Sequence, residues 1–309
     1  MATTTNLTPG DDTAAAPLPI WRLHPSRRVL SLGTYIVTRV AVYGMILAVL
    51  VPILYLVSIS FVDSTNRDTI LLFIPRNPTL ENYTRAMEYA EDVLRISVWR
   101  MYMNSGVYTV AAMAISLSLS ATAAFGFANY DFPGKEFLFI LILGTMMIPG
   151  QALLIPLFLL LKRFNILDTY FALILPYAAL GVPFSTLLLR GFFEALPREL
   201  HDAARIDGAS DFGYFWRIVL PLSIPALATV IIFLSLFYWN EFLLALVMIQ
   251  DESLQPLTLG LSRITAGRAT APVPTYAAVV LLTVFPILIV FMLFQRWFVR
   301  GIAAGAVKG

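Results

Sequence analysis

The sequence predicts an all-α, polytopic membrane protein with six transmembrane helices. Of its 309 residues, 59% are hydrophobic and 13% are charged, whereas an average soluble domain carries about 25% charged residues. A mean hydropathy of +0.79 implies that lipid, rather than one buried core, solvates much of the apolar surface. The apolar residues also come in runs of about 20 or more, which is the length that a helix needs to cross a bilayer.

The N-terminal tail, residues 1–34, differs from the rest of the chain. Its first 19 residues are rich in Thr, Ala, Pro and Asp and show no apolar periodicity, which is typical of a disordered segment. The first apolar run begins near Tyr35 and is too long and too late for a cleaved signal peptide. We therefore expect a largely disordered tail followed by a transmembrane domain over residues 35–300.

Six segments of that domain are long and apolar enough to span a membrane. We place them at about residues 35–61, 103–127, 137–161, 170–189, 218–249 and 276–298. Several contain proline, which bundled membrane helices tolerate because neighbouring groups satisfy the freed carbonyls. Lys and Arg are somewhat more numerous in the loops that face the cytoplasm if the N-terminus lies inside. This bias predicts a multi-pass protein of the cell (cytoplasmic, inner) membrane with both termini in the cytoplasm.

The composition also limits the possible sites and partners. The chain has no Cys, which excludes thiolate metal sites and Cys nucleophiles, and its two His residues, His24 and His201, are far apart. We therefore expect no metal site. A net charge of +2 without runs of Lys or Arg gives no support for a nucleic-acid partner. Gly134-Lys135, the only Gly-Lys pair, lacks the surrounding P-loop residues, so the chain has no such ATP site.

The loop between the fourth and fifth spans is the longest polar interruption on the predicted cytoplasmic side. Pro197 suits the first turn of a helix, where its missing N–H costs nothing. Gly208 suits a left-handed helix end, and Ser210 suits the N-cap of the next helix. Helical spacing places apolar residues on one side and charged residues on the other: Leu196, Leu200, Ala203 and Ala204 against Arg198, Glu199, Asp202 and Arg205. The pattern predicts a short amphipathic helix, either a simple surface link or a docking element.

The residues of this loop resemble a known motif. Asp202-Ala203-Ala204, three residues, Gly208, nine residues and then IVLP at 218–221 resemble the EAA loop of bacterial ATP-binding-cassette (ABC) importer permeases, with Asp in place of the usual Glu. PTLENY at 78–83, YWNEF at 238–242 and the tail RGIAAGAVKG at 300–309 resemble one branch of them, the second permease subunit of maltose-type carbohydrate importers. The first 30 residues or so fall outside this resemblance.

The resemblance implies a transmembrane permease subunit that forms half of the pathway for a sugar or related carbohydrate. It implies three protein partners: a second, homologous permease, a dimeric cytoplasmic ATPase and an extracellular substrate-binding protein. The chain itself would not be an enzyme, since ATP and Mg²⁺ would bind the ATPase. The coupling loop, about residues 194–221, would contact that ATPase through a coupling helix. The residues assigned to ATPase coupling are Glu199, Asp202, Ala203, Ala204, Gly208, Leu220 and Pro221.

Two further sets of residues are candidates for contacts. Polar residues within spans are costly in lipid and mark pathways or interhelical hydrogen bonds; these candidates are Gln151, Tyr177, Tyr238, Trp239, Asn240 and Glu241. The C-terminal tail, Gly305, Ala306, Val307, Lys308 and Gly309, has the composition of a frayed terminus, but the resemblance implies a contact with the ATPase. The outer loop 62–102, together with the loop 250–275, is either a solvated lid or part of the binding protein's seat.

Two alternative hypotheses for the same sequence are that the chain is a secondary transporter or a purely structural membrane subunit. Secondary transporters usually show internal repeats and ionisable residues near the bilayer midplane. The sequence shows no convincing halfway repeat, and Glu241 is the only obvious carboxylate within a span. A structural subunit is opposed only by the match in the coupling loop.

Overall fold

The computed structural model describes residues 32–63, 75, 77–266 and 272–306, and among them it contains helices and no strands. The all-α prediction is confirmed. The helices are α1 (Leu32–Ser60), α2 (Glu81–Leu94), α3 (Val98–Asn129), α4 (Lys135–Gly144), α5 (Leu154–Arg163), α6 (Phe171–Phe193), α7 (Arg198–Ile206), α8 (Asp211–Tyr214), α9 (Leu220–Leu222), α10 (Ile224–Trp239), α11 (Leu243–Met248), α12 (Leu257–Ala266) and α13 (Val273–Ala306). Most of the N-terminal tail, residues 1–31, lies outside the described residues.

Within the described ranges, four helices are long and apolar enough to cross a membrane unbroken. They are Tyr35–Ser60, Val98–Asn129, Phe171–Phe193 and Val273–Arg296. Two further segments pass the same test only as bent pairs, Lys135–Met147 with Gly150–Arg163 and Asp211–Leu222 with Ile224–Trp239. Counting each bent pair as one span gives the six that the sequence predicts.

The third span is not the continuous helix predicted over 137–161, because its two halves bend by 93° at Ile148 and Pro149. Proline has no N–H to donate to the preceding turn, and its ring disfavours the helical conformation of the residue before it. Ile148 accordingly has extended backbone angles, φ −80° and ψ 118°. The chain therefore turns by about a right angle within the predicted span.

The fifth span also departs from the continuous helix predicted over 218–249. A bend of 73° separates Asp211–Leu222 from Ile224–Trp239, next to Pro225, which has no N–H with which to continue the helical ladder. A second break follows Trp239, and the chain resumes as the short helix α11. Both broken spans therefore contain helix ends within the predicted membrane segments.

In the last span, the interior Pro286 is accommodated by aromatic donors from two other helices. Pro286 cannot donate to the carbonyl of Leu282, four residues earlier, and the Tyr102 hydroxyl of α3 donates to that oxygen instead. The indole Nε1 of Trp239 donates to the neighbouring carbonyl of Thr283 at 3.0 Å. The expectation that neighbouring helices satisfy carbonyls freed by proline is confirmed at this position.

The core of the bundle lies where α6 packs along α3, with α10 against both of them and against α13. Small residues such as Ala112 and Ala172, each fully buried, let these helices approach closely. The bundle belongs to one compact unit that begins at Leu54, whereas residues up to Ile53 form a separate unit. In that N-terminal unit the described side chains, from Tyr35 on, are all exposed.

Candidate functional site: a coupling helix and a membrane groove

The loop between α6 and α8 folds as the sequence predicts, with one adjustment. Pro197 is the residue before the helix rather than part of its first turn, and α7 runs from Arg198 to Ile206. Gly208 has a φ of +78°, the left-handed conformation expected of a helix end. The Ser210 hydroxyl then accepts a hydrogen bond from the backbone N–H of Gly213 at 3.2 Å and caps α8.

The two faces of α7 are not divided as expected. Ala204 is buried against the core, with Leu196 and Leu200 half-buried beside it, but Ala203 is exposed. Consecutive residues of an α-helix are about 100° apart around its axis, so Ala203 stands at the edge of the exposed face although the adjacent Ala204 faces the core. The exposed face holds Glu199, Asp202, Ala203 and Ile206, at i, i+3, i+4 and i+7.

Two large exposed apolar side chains, Ile206 on this face and Phe212 in α8, were not assigned to coupling from the sequence. Ile206 is 86% exposed and Phe212 is 73% exposed. Both stand within an otherwise polar loop, and that contrast is the signal that could have identified them. Leu220 and Pro221, assigned to coupling from the motif, lie further along in α9, where Leu220 is half-buried and Pro221 is exposed.

A polar cluster fixes the orientation of α7. Tyr130, which follows α3, donates its hydroxyl to Asp211 Oδ2 at 2.7 Å, and Asp211 Oδ1 lies 3.7 Å from His201 Nε2. The His201 ring also packs edge-on against Tyr214 at 4.8 Å between centroids. The hydrogen bond to Asp211 raises the pKa of Tyr130 above that of an ordinary tyrosine, so the hydroxyl keeps the proton that it donates.

A groove of about 900 Å³ opens between the two halves of the third span and α6, α10 and α11. Its walls are mostly apolar. Two of the predicted pathway residues, Gln151 and Glu241, line it. Gln151 is exposed directly after the 93° bend, so this bend shapes one wall of the groove.

Three of the predicted pathway residues, Tyr177, Tyr238 and Glu241, contact one another at the wall of the groove. The Tyr177 hydroxyl donates to Glu241 Oε2 at 2.8 Å, and the Tyr177 and Tyr238 rings stack with centroids 5.5 Å apart and planes 3° from parallel. Glu241 Oε1 accepts the backbone N–H of Leu244 at 2.9 Å, which caps α11 after the break in the fifth span. Both tyrosines are buried, and their ring contacts tie α6 to α10.

The other predicted residues lie elsewhere. Trp239 is buried and points to the last span, as described above, and Asn240 is exposed with its amide donating to the Leu236 carbonyl at 2.8 Å. Gly305 and Ala306 are at the C-terminal end of α13, whereas Val307, Lys308 and Gly309 lie outside the described residues. Within the described ranges, no group of three or more His, Asp or Glu side chains is placed to hold a metal ion.

Broken spans around a groove, with an amphipathic helix held at one end of the bundle, define a polytopic membrane protein of the transport class. The family described as "Binding-protein-dependent transport system inner membrane component" matches residues 116–304. The chain belongs to this family, and it is a permease subunit of an ABC importer.

Individual relatives agree with the family. The chain is 36% identical to the probable ABC transporter permease protein YurM of Bacillus subtilis, with 85% of each chain covered. It is 35% identical to the arabinooligosaccharides transport system permease protein AraQ of Halalkalibacterium halodurans, over 91% of this chain and 96% of the relative. Among solved structures, a bacterial ABC transporter involved in the import of the acidic polysaccharide alginate matches with a TM-score of 0.75 at 26% identity, over 85% of this chain and 95% of that one.

Proposed function

We propose that this permease carries a sugar or related carbohydrate across the cytoplasmic membrane and couples that step to a separate ATPase through α7. The exposed face of α7 is the observation on which the proposal rests, since it presents two carboxylates and the apolar Ile206 on a helix that Ala204 anchors from behind. Such a strip fits a groove on a partner protein. Coupling through Glu199, Asp202, Ala203, Gly208, Leu220 and Pro221 is part of the proposal; Ala204, assigned to the same set from the motif, is buried and acts only by anchoring the helix.

The carbohydrate substrate is inferred from relatives. AraQ is an arabinooligosaccharide permease by its description, and NgcG of Streptomyces coelicolor, 30% identical over 84% of each chain, belongs to a diacetylchitobiose uptake system. The test is to screen carbohydrates against the cognate binding protein and then to measure uptake in a strain lacking this chain. We expect uptake of the bound carbohydrate to fall to background. Unchanged uptake, or a binding protein that prefers another class of solute, would contradict the substrate assignment.

We infer the remaining partners from the class of ABC importer permeases. A second, homologous permease would close the groove that Gln151 and Glu241 line, and an extracellular binding protein would deliver the substrate near α2 and α12. ATP and Mg²⁺ would bind the dimeric ATPase, so the chain would be a non-catalytic subunit. The end of the bundle that carries α7 would face the cytoplasm together with both termini. The C-terminal residues 305–309 would add a second contact with the ATPase.

The absence of native Cys makes crosslinking a direct test of ATPase docking. We expect Ala203→Cys on the exposed face of α7 to crosslink to the ATPase in the assembled importer. Ala204→Cys is the matched control, because the adjacent side chain is 3% exposed and faces the core. Gly305→Cys tests the C-terminal contact with the same readout. Equal crosslinking from positions 203 and 204, or none to any ATPase, would contradict docking through α7.

A further inference from the structure

Arg190 lies at the point where the transmembrane bundle meets the coupling loop. It occupies the last turn of α6, and its Nε donates to Glu194 Oε1 at 2.7 Å, at the first residue of the loop. Its other two nitrogens reach a different helix. Nη2 donates to Glu136 Oε1 at 2.7 Å and Nη1 to Glu136 Oε2 at 3.4 Å, so one guanidinium joins α6, the loop and the first turn of α4.

This arrangement differs from an ordinary surface ion pair. Glu136 is 64% exposed, but the side chain of Arg190 is only 12% exposed, and its guanidinium lies 4.0 Å from the centre of the Phe139 ring of α4. Isolated exposed ion pairs contribute little because water screens them and their side chains lose entropy. Two-point pairing with a carboxylate and stacking on an aromatic ring hold the group in one orientation, and Lys cannot reproduce that geometry.

The helix that Arg190 holds forms a wall of the groove. α4 begins at Lys135 and is followed by a 3-10 turn, Thr145–Met147, that leads to the 93° bend. Thr145, Met146 and Ile148 line the groove. None of the residues of α4 itself is buried, so burial alone anchors this helix weakly. Besides the ring contact of Phe139 with Phe127 of α3, the contacts of Arg190 therefore connect the base of α4 to the first residue of the coupling loop.

We propose that Arg190 is a positioning residue that makes α4 follow the coupling helix, so that movement of α7 changes the groove wall at Thr145. Glu136 is its counterpart on α4, and Glu194 holds the guanidinium in place on the loop side. The inference rests on the proposed function, because it requires that the ATPase moves α7. It adds the connection by which that motion would reach the pathway. This connection is the contact between Arg190 and Glu136, which are 54 residues apart in sequence.

The test follows the groove wall directly in the reconstituted importer. Spin labels at Thr145→Cys and Phe237→Cys, both lining the groove, report its width by electron paramagnetic resonance before and after addition of ATP and Mg²⁺. We expect R190Q and E136Q to reduce the nucleotide-driven shift between the two width populations by about fivefold or more, as coupling free energies typically imply. ATP hydrolysis and assembly should persist. A purely structural role would lower the amount of importer and not the fraction that shifts.

Two comparisons keep the result interpretable. D131N removes the ion pair of the fully exposed Asp131 with Lys135 at the same end of the bundle and should leave the shift unchanged. Exchanging the charges, R190E with E136R, should restore much of the shift lost in R190E alone. All the variants of this exchange also carry E194Q, because Glu194 would otherwise repel the carboxylate introduced at position 190. The shift of each is compared with that of the protein that carries E194Q alone.

A wild-type shift in R190Q and E136Q would overturn the inference, as would an exchanged pair no better than R190E alone on E194Q. Crosslinking of Ala203→Cys to the ATPase in the R190Q background separates this failure from failure of the proposed function. If that crosslink forms and the shift remains, α7 docks on the ATPase but Arg190 does not carry its motion to α4. If the crosslink is missing in the otherwise unchanged chain, the proposed coupling itself is wrong.

Discussion

Gly181 decides whether the two stacked tyrosines behind the groove can form. An added Cβ at this position would lie 1.9 Å from the Tyr238 hydroxyl and 2.9 Å from Cδ2 of Leu234. The same hydroxyl hydrogen-bonds Ser116 Oγ at 2.7 Å, and Tyr238 stacks on Tyr177, the partner of Glu241. A single missing methyl group therefore allows a network that connects α3, α6, α10 and α11.

We predict that Gly181→Ala destabilises the protein by about 1–3 kcal/mol, because overpacking a close-packed site forces side chains to move. Gly191→Ala is the matched control, since a Cβ there meets nothing within 4 Å and Ala favours the helix. Thermal unfolding in detergent measures both. A Gly181→Ala protein as stable as the Gly191→Ala protein would show that Tyr238 can move away without cost.

Gly208 is required for a different reason. A Cβ there meets nothing within 4 Å, but the φ of +78° is one that costs other L-residues about 1–2 kcal/mol. The backbone conformation, rather than the space around it, thus demands glycine at the end of α7. Gly208 therefore allows the chain to turn between α7 and α8.

At the scale of elements, α7 and the last span show how the helices depend on their neighbours. α7 is too short to be stable alone, and it is held by the packing of Ala204 on one face and by the contact of His201 with Asp211, which also binds Tyr130. The last span continues through Pro286 because α3 and α10 supply donors to its carbonyls. In each case a helix is completed by side chains that are distant in sequence.

We predict that Tyr102→Phe destabilises the protein by about 1–2 kcal/mol, because it leaves the half-buried carbonyl of Leu282 without its donor. The Leu282 carbonyl should regain a donor in Pro286→Ala, because alanine supplies the N–H that proline lacks. The cost of Tyr102→Phe should therefore be smaller on the Pro286→Ala background. Thermal unfolding of the four proteins of this cycle measures the coupling. Equal costs on both backgrounds would mean that Tyr102 does not replace the missing donor.

At the scale of the whole molecule, the spans and the loop could be predicted because their causes are local. Apolar runs of membrane length, proline and glycine positions and the 3.6-residue period place all the helices that cross the predicted layer and the amphipathic α7. The composition of the loop also predicts its Gly208 end and its Ser210 cap. Where proline breaks a span, however, the local pattern predicts where the helix breaks but not the angle between its two halves.

The sequence by itself determined a helical membrane protein with six crossing segments and a polar coupling loop, because hydropathy and backbone preferences act over short distances. Only the tertiary structure decided which face of α7 is exposed, how far the broken spans bend, and which polar residues meet. Arg190 with Glu136, Tyr130 with Asp211, and Tyr177 with Glu241 pair across 54, 81 and 64 residues. Such pairings depend on how the helices pack against one another, and helix packing is a property of the assembled bundle that no single segment encodes.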